Sequence, residues 1–327
     1  MRYCLIFFLL SFRLAVVFGQ QDAPVAGKAS AHKNDSLQLA AGLEKILEDD
    51  TAPASYLFLN IAAGNNLYNL SNNYLNASQN QGPLVAYNPT LTYYHKSGFN
   101  LSLGSTLLRQ APGGFGRTQY SLAAAYDWEK TEKFAAGLAL TKYFVKDYYS
   151  PYASPIQNDA YAYFRYEKPF IEPGMTLGYS TGTYKTARRL DTVINGVPRR
   201  FYDSVSNRLK TFTASLTAEH TFKFEKMLTA SDDAEFTPSL MMNMSSSSTN
   251  VTRKSNFPFF NTPAGKRRLN RLISNDFRIE SLGLDLDLTY TLGNLVIEPD
   301  LYTDYYLQQT TESRWSFLFT LNVGYIF

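Results

Sequence analysis

The chain has 327 residues, 24 of them Tyr and 23 Phe, and only 18% are charged, against about a quarter in ordinary soluble domains. Its mean hydropathy of -0.24 excludes a bundle of transmembrane helices and suits strands that alternate apolar and polar side chains. The formal charge of +3 falls to about +1 once Arg2 and Arg13 of the leader are set aside, which excludes a general polyanion-binding, nucleic-acid-binding character.

Residues 1–19 have the pattern of an export signal. Arg2 supplies the positive charge, Leu5 to Phe18 is apolar apart from Ser11 and Arg13, and Val17-Phe18-Gly19 offers small residues for cleavage. The run is too short for a spanning helix, which needs roughly 18 to 20 apolar residues. Cys4 is the only cysteine and sits inside this signal. The remainder therefore has no thiol for a disulfide, thiol catalysis or a cysteine metal site. Residues 20–53 form a polar, alanine-rich extension. Asp35 is placed to cap a short helix over 36–49, with Leu39, Leu43, Ile46 and Leu47 on one stripe.

After Pro53 the period changes to two, and residues 54–327 predict one all-β unit. About twelve strands are expected, near 55–63, 84–95, 99–108, 118–128, 133–144, 158–168, 174–186, 208–223, 236–248, 276–292, 295–308 and 313–327. Each reaches or approaches the roughly 9 to 11 residues with which a tilted strand crosses a bilayer. Short turns at 96–98, 129–132, 169–173 and 293–294 alternate with long connections at 64–83, 109–117, 145–157, 187–207 and 249–275. Two connections break the rhythm: 224–235 is long for a turn and 309–312 short for a loop. The alternation predicts an antiparallel up-and-down transmembrane barrel with the short turns beside the chain's C-terminus. A β-sandwich would predict neither this asymmetry nor strands this long. Parity assigns Leu101, Leu103, Leu122, Leu138, Leu140, Leu177, Leu216, Leu240 and Leu284 to the lipid side, with Tyr93, Trp128, Phe134, Tyr166, Phe222 and Tyr290 in an aromatic belt.

The last strand carries the most specific signal. Trp315, Phe317, Phe319, Leu321, Val323, Tyr325 and the terminal Phe327 share one parity, opposite Ser316, Thr320, Asn322 and Gly324. This pattern resembles the C-terminal assembly signal of Gram-negative outer-membrane β-barrel proteins. The resemblance implies residence in the outer membrane, contact with its lipids and lipopolysaccharide, and recognition of the terminal strand by the barrel-assembly machinery. It places the short turns and the 20–53 extension in the periplasm, where the 36–49 helix is free to meet a periplasmic partner or to plug the lumen.

Among inward positions the acidic ones stand out. Asp285 and Asp287 alternate with Leu284, Leu286 and Leu288, and Glu298, Asp300 and Asp304 share a parity on the following strand. A two-residue turn at Gly293-Asn294 would set Asp287 opposite Asp300. Facing carboxylates repel and need water, a cation or a base, and inward Arg165 and Lys223 are the candidate bases. The functional reading is a cation-preferring pore lining or a metal site; the plainer one is a hydrated or salt-bridged wall. A basic set, Arg188, Arg189, Arg199 and Arg200 in the 187–207 loop with Arg267 and Arg268 in the 249–275 loop, is expected outside, suited to phosphates of an anionic leaflet.

Enzymatic chemistry finds little to use. Of the three histidines, His32 lies in the extension, His220 low on a lipid-facing parity, and His95 before the Lys96-Ser97-Gly98 turn. The His95-x-Ser97 spacing resembles the phospholipase motif of some barrel enzymes, on the wrong side for the outer leaflet. Four segments, Asp35-Ser36-Leu37, Asp50-Thr51-Ala52, Asp191-Thr192-Val193 and Asp203-Ser204-Val205, resemble the O-glycosylation acceptor of some Gram-negative bacteria, and all are expected in the extension or loops. The functional expectation is a small pore or transport barrel without a cofactor; the alternative is a non-conducting surface-binding or assembly subunit, and a lipid hydrolase comes third.

Overall fold

Alternating side chains make each segment after Pro53 a strand with one apolar and one polar face, and such strands bury both faces only by closing on themselves in lipid. The computed structural model describes residues 55–64, 85–110, 114–131, 133–145, 156–167, 169–194, 197–229, 232–256, 262, 270–307 and 314–327. The expected signal 1–19, the extension 20–53 with its helix, and Arg267 and Arg268 lie outside the described residues.

The strands in chain order are β1 (Tyr56–Gly64), β2 (Ala86–Tyr94), β3 (Phe99–Gln110), β4 (Gly114–Thr131), β5 (Phe134–Val145), β6 (Asn158–Tyr166), β7 (Glu172–Ile194), β8 (Val197–Glu219), β9 (Phe222–Glu225), β10 (Asp232–Ser255), β11 (Asn270–Leu292), β12 (Leu295–Tyr306) and β13 (Trp315–Ile326). All pairings are antiparallel between neighbours, and β13 returns to β1. β9 continues the line of β8 against the same partner, β10. The result is a closed up-and-down barrel of twelve staves. The 224–235 turn shortens accordingly: Asp232 caps it by accepting from the amides of Leu228 and Thr229 at 2.8 and 3.0 Å.

Outer and inner faces sort as the parity requires. Leu103, Leu138, Leu140, Leu240, Trp315, Phe317 and Phe327 are exposed on the outside, while Ser316, Thr320, Asn322, Asp285 and Asp304 are buried inside. Closure is made by backbone bonds from Phe327 N to Leu57 O (2.9 Å) and from Leu57 N to Phe327 O (3.4 Å). Asn294 of the β11–β12 turn donates its side-chain amide to Ile326 O at 3.0 Å. Inside the seam, Tyr56, Phe58, Val296 and Ile326 form a buried apolar cluster.

The 187–207 connection is not a loop. β7 and β8 pair without interruption to Ile194↔Val197, and β10 and β11 run on to Thr252↔Asn270. Since β6 begins at Asn158, opposite Thr181, the stretch of β7 from Gly182 onward rises roughly 40 Å along the strand. The four strands β7, β8, β10 and β11 thus form a wall standing beyond the rim at the end opposite the termini. Register shifts in the β10–β11 pair fall at Asn243/Met244 and Ser245/Ser247, beside Ser281↔Tyr306, the last β11–β12 pair among the described residues. Bulges there add twist to the strand.

Gly324 is the tightest point of the seam. A Cβ there would stand 2.1 Å from the Phe58 ring, itself buried. Gly324→Val is expected to destabilise the refolded barrel by about 1–3 kcal/mol, the usual cost of overpacking. The check is the urea midpoint followed by heat-modifiable gel mobility.

Candidate functional site: the acidic lumen wall

The Gly293-Asn294 turn joins β11 and β12 with Leu292↔Leu295 as the first pair, and Gly293 adopts a positive φ of 55°. That register sets Asp287 directly across from Asp300, Asp285 across from Tyr302 and Gly283 across from Asp304. All five carboxylates, Asp285, Asp287, Glu298, Asp300 and Asp304, are buried on the inner face. The two strands therefore bring together the five acidic residues of β11 and β12 that the alternation had pointed inward.

Their surroundings divide them. Asp304 is the centre of a hydrogen-bonded cluster: Tyr302 donates to it at 2.5 Å, Ser281 at 3.0 Å, and Asn243 and Tyr306 each at 3.3 Å. Asn243 also donates to the Tyr302 hydroxyl at 2.7 Å and accepts from Ser215 at the same distance. Gly283 leaves the space over which Tyr302 lies, since a Cβ there would be 2.7 Å from its hydroxyl. Nearer the termini, Asn322 donates to Glu298 at 3.3 Å and Thr289 to Asp287 at 3.4 Å. Asn243 and Ser215 were not singled out with the acidic set by sequence, although their inward parity on β10 and β8 was available as a signal.

Arg165 points into the lumen but does not serve the aspartates. It donates to Glu167 at 2.5 Å and to Glu219 at 2.9 Å, with Glu172 at 3.9 Å, on the β6–β7–β8 side near the terminal end. Lys223 instead meets Glu235 at 3.6 Å. The expected partnership of Arg165 with the acidic wall is therefore corrected: Arg165 is taken by Glu167, two residues on, and by Glu219, two strands away. Further inward carboxylates are engaged elsewhere. Asp127 accepts from Asn100 and Tyr163 at 2.8 and 3.0 Å, and Asp159 from Ser180 at 2.5 Å. Among the described residues no group of three or more His, Cys, Asp or Glu is arranged to hold a metal ion.

The basic residues expected in a loop sit on the projecting wall. Arg188 and Arg189 lie in β7, Arg199 and Arg200 in β8. Both wall-borne glycosylation-like segments are likewise in paired strands rather than loops. Asp191 is bracketed by Arg189 at 3.2 Å and Arg200 at 3.1 Å, and Asp203 receives the Arg253 guanidinium through Nε at 2.6 Å. At the other end, His95 Nδ1 and Ser97 Oγ are 2.9 Å apart within an exposed turn, the geometry of a local turn bond.

No protein-family model matches the chain, and no curated protein does. Among solved structures it is similar to the NanC porin, at 9% identity over 82% of this chain and 98% of that one, with a TM-score of 0.34. It is similar to the RagAB peptide transporter at 8% identity and TM-score 0.34, covering 84% of this chain but only 44% of that one, so it spans less than half that relative's length. LpxR from Salmonella typhimurium is similar at 11% identity, over 83% of this chain and all of that one, with a TM-score of 0.30. These are loose likenesses. Strand closure and the apolar exterior define the class: a β-barrel of the outer-membrane type.

The Asp191 carboxyl is held below its ordinary value, first by the Arg189 hydrogen bond and then by Arg200, against the opposing effect of desolvation. A depressed value means that the contact contributes above the unfolded pKa of about 3.9 and is lost as pH falls through the folded one. Carbon-detected NMR should place the Asp191 midpoint below about 3.9, and Arg189→Gln should raise it. An unmoved midpoint would contradict the assignment.

Proposed function

We propose that this chain is an outer-membrane pore of a Gram-negative bacterium, passing small solutes and favouring cations. The observation that carries this reading is the inner wall of Asp285, Asp287, Glu298, Asp300 and Asp304, with Asp287 and Asp300 in register on neighbouring strands. Fixed negative charge in a low-dielectric tube concentrates cations and repels anions. Twelve strands enclose less space than the 16 to 18 of wide aqueous channels, and inward Tyr161, Tyr302 and Tyr306 are buried in it. Conductance should therefore be small. Binding and steric selection by the lumen, without a cofactor or a chemical step, would be its whole activity. A lipid hydrolase is less well supported, because the His95–Ser97 pair lies in an exposed turn on the side of the termini.

A second reading is a non-conducting surface-binding or assembly subunit. It is favoured by the projecting β7–β8–β10–β11 wall, whose Arg189, Arg199 and Arg200 are exposed to external phosphates such as those of lipopolysaccharide. Recognition of the Phe327 strand by the assembly machinery and of residues 36–49 by a periplasmic partner belong to the same proposal.

Planar-bilayer recording separates the two. The pore reading expects small single-channel steps and a cation-selective reversal potential. Asp287→Asn with Asp300→Asn should reduce the permeability ratio roughly fivefold, the effect of about 1 kcal/mol of charge interaction in water. Steps with unchanged selectivity would remove the acidic lining from the mechanism, and absence of steps from a folded, inserted barrel would favour the second reading.

A further inference from the structure

The outward face of β3 to β7 carries a feature that the pore does not use. Across these strands the register aligns Leu101, Ala124, Leu140, Ala160 and Tyr179 in one transverse row. Small and large residues alternate in it, so Ala124 and Ala160 form low points between the flanking Leu101, Leu140 and Tyr179. Four interstrand steps make the row about 19 Å long. It lines a groove of about 400 Å³, within the roughly 300–1,000 Å³ typical of sites for small ligands.

The rim of the groove is polar on one side only. The next row holds Leu122, Lys142, Asn158 and Thr181. Lys142 Nζ donates to Asn158 Oδ1 at 2.7 Å, and Asn158 Nδ2 donates to Thr181 Oγ1 at 3.2 Å. An ammonium has three donors, so this fixed head keeps further donors for an anion. Asp159, the single carboxylate among the lining residues, turns to the inner face and is held by Ser180 at 2.5 Å. Because β6 starts at Asn158, the polar row marks the end of the barrel opposite the termini.

We infer that this groove is a lipid-binding site for a phosphorylated, multi-acyl glycolipid of the outer leaflet, with one acyl chain over Ala124 and Ala160 and a phosphate at Lys142. The inference rests on the outer-membrane reading given above. Charge complementarity selects the headgroup, and the apolar row next to it selects the chain.

Native mass spectrometry of the full barrel, purified in detergent and titrated with bis-phosphorylated lipid A, tests this. The dephosphorylated form with the same chains and phosphatidylglycerol serve as comparison probes. The wild type should retain one phosphorylated lipid A and bind both comparison probes more weakly. Lys142→Gln should weaken retention about tenfold, as for the loss of a charge-assisted hydrogen bond. Ala160→Phe should abolish retention by filling the recess, and Tyr179→Ala supplies a second variant should that barrel not fold; heat-modifiable mobility reports folding. Equal binding of the dephosphorylated probe or of phosphatidylglycerol, or retention unchanged in folded Lys142→Gln, would overturn the site. Failure of the folded wild type to insert into vesicles would instead remove the membrane reading, and conductance should be untouched by Lys142→Gln in either case.

Discussion

Everything in this molecule depends on backbone hydrogen bonds having no partner in lipid except another strand. An open sheet would present unpaired amides and carbonyls to hydrocarbon at a cost of several kcal/mol per group. The β1–β13 pairing removes that cost by bonding Leu57 to Phe327 and extending from Phe58↔Ile326 to Gly64↔Thr320. Gly324 serves the same end, since only a missing side chain lets the buried Phe58 ring lie across the seam. The terminal aromatic is thus part of the closure as well as the outer surface.

Closure then decides what becomes of the polar face. Once the strands circle, inward side chains have only one another and enclosed solvent as partners, so buried polarity must be organised. The wall does this in two ways. Asp304 is served by neutral donors from β10, β11 and β12, centred on Tyr302, whereas on the β6–β8 side Arg165 is shared among Glu167, Glu172 and Glu219. Carboxylates outnumber bases on the inner face and five of them stand on β11 and β12, which is the physical basis for proposing cation preference.

Beyond the rim the rules change. With water on both faces no alternation is required, and Ser245-Ser246-Ser247-Ser248 in β10 shows how fully the period disappears. For that reason the upper halves of β7, β8, β10 and β11 were legible only as loops, and Arg188, Arg189, Arg199 and Arg200, expected in a loop, stand on paired strands instead. Charged residues such as Lys185 and Arg189, on β7 beyond its last pair with β6 among the described residues, suit a strand edge, since they discourage pairing with other chains. The lipid groove escaped sequence reading for a different reason. Ala124 and Ala160 are unremarkable singly, and only interstrand register makes them neighbours.

The sequence by itself determined the strand count, the face of the residues within the twelve alternating staves, and the Asp287–Asp300 juxtaposition. All of these follow from a two-residue period and one tight turn, which are local properties. Only the tertiary structure decided which base neutralises which acid, that Asn243 ties Ser215 to Asp304, and where strands outrun the barrel. Those outcomes depend on contacts between staves distant in the chain, whose spacing is set by closure and shear rather than by any single segment.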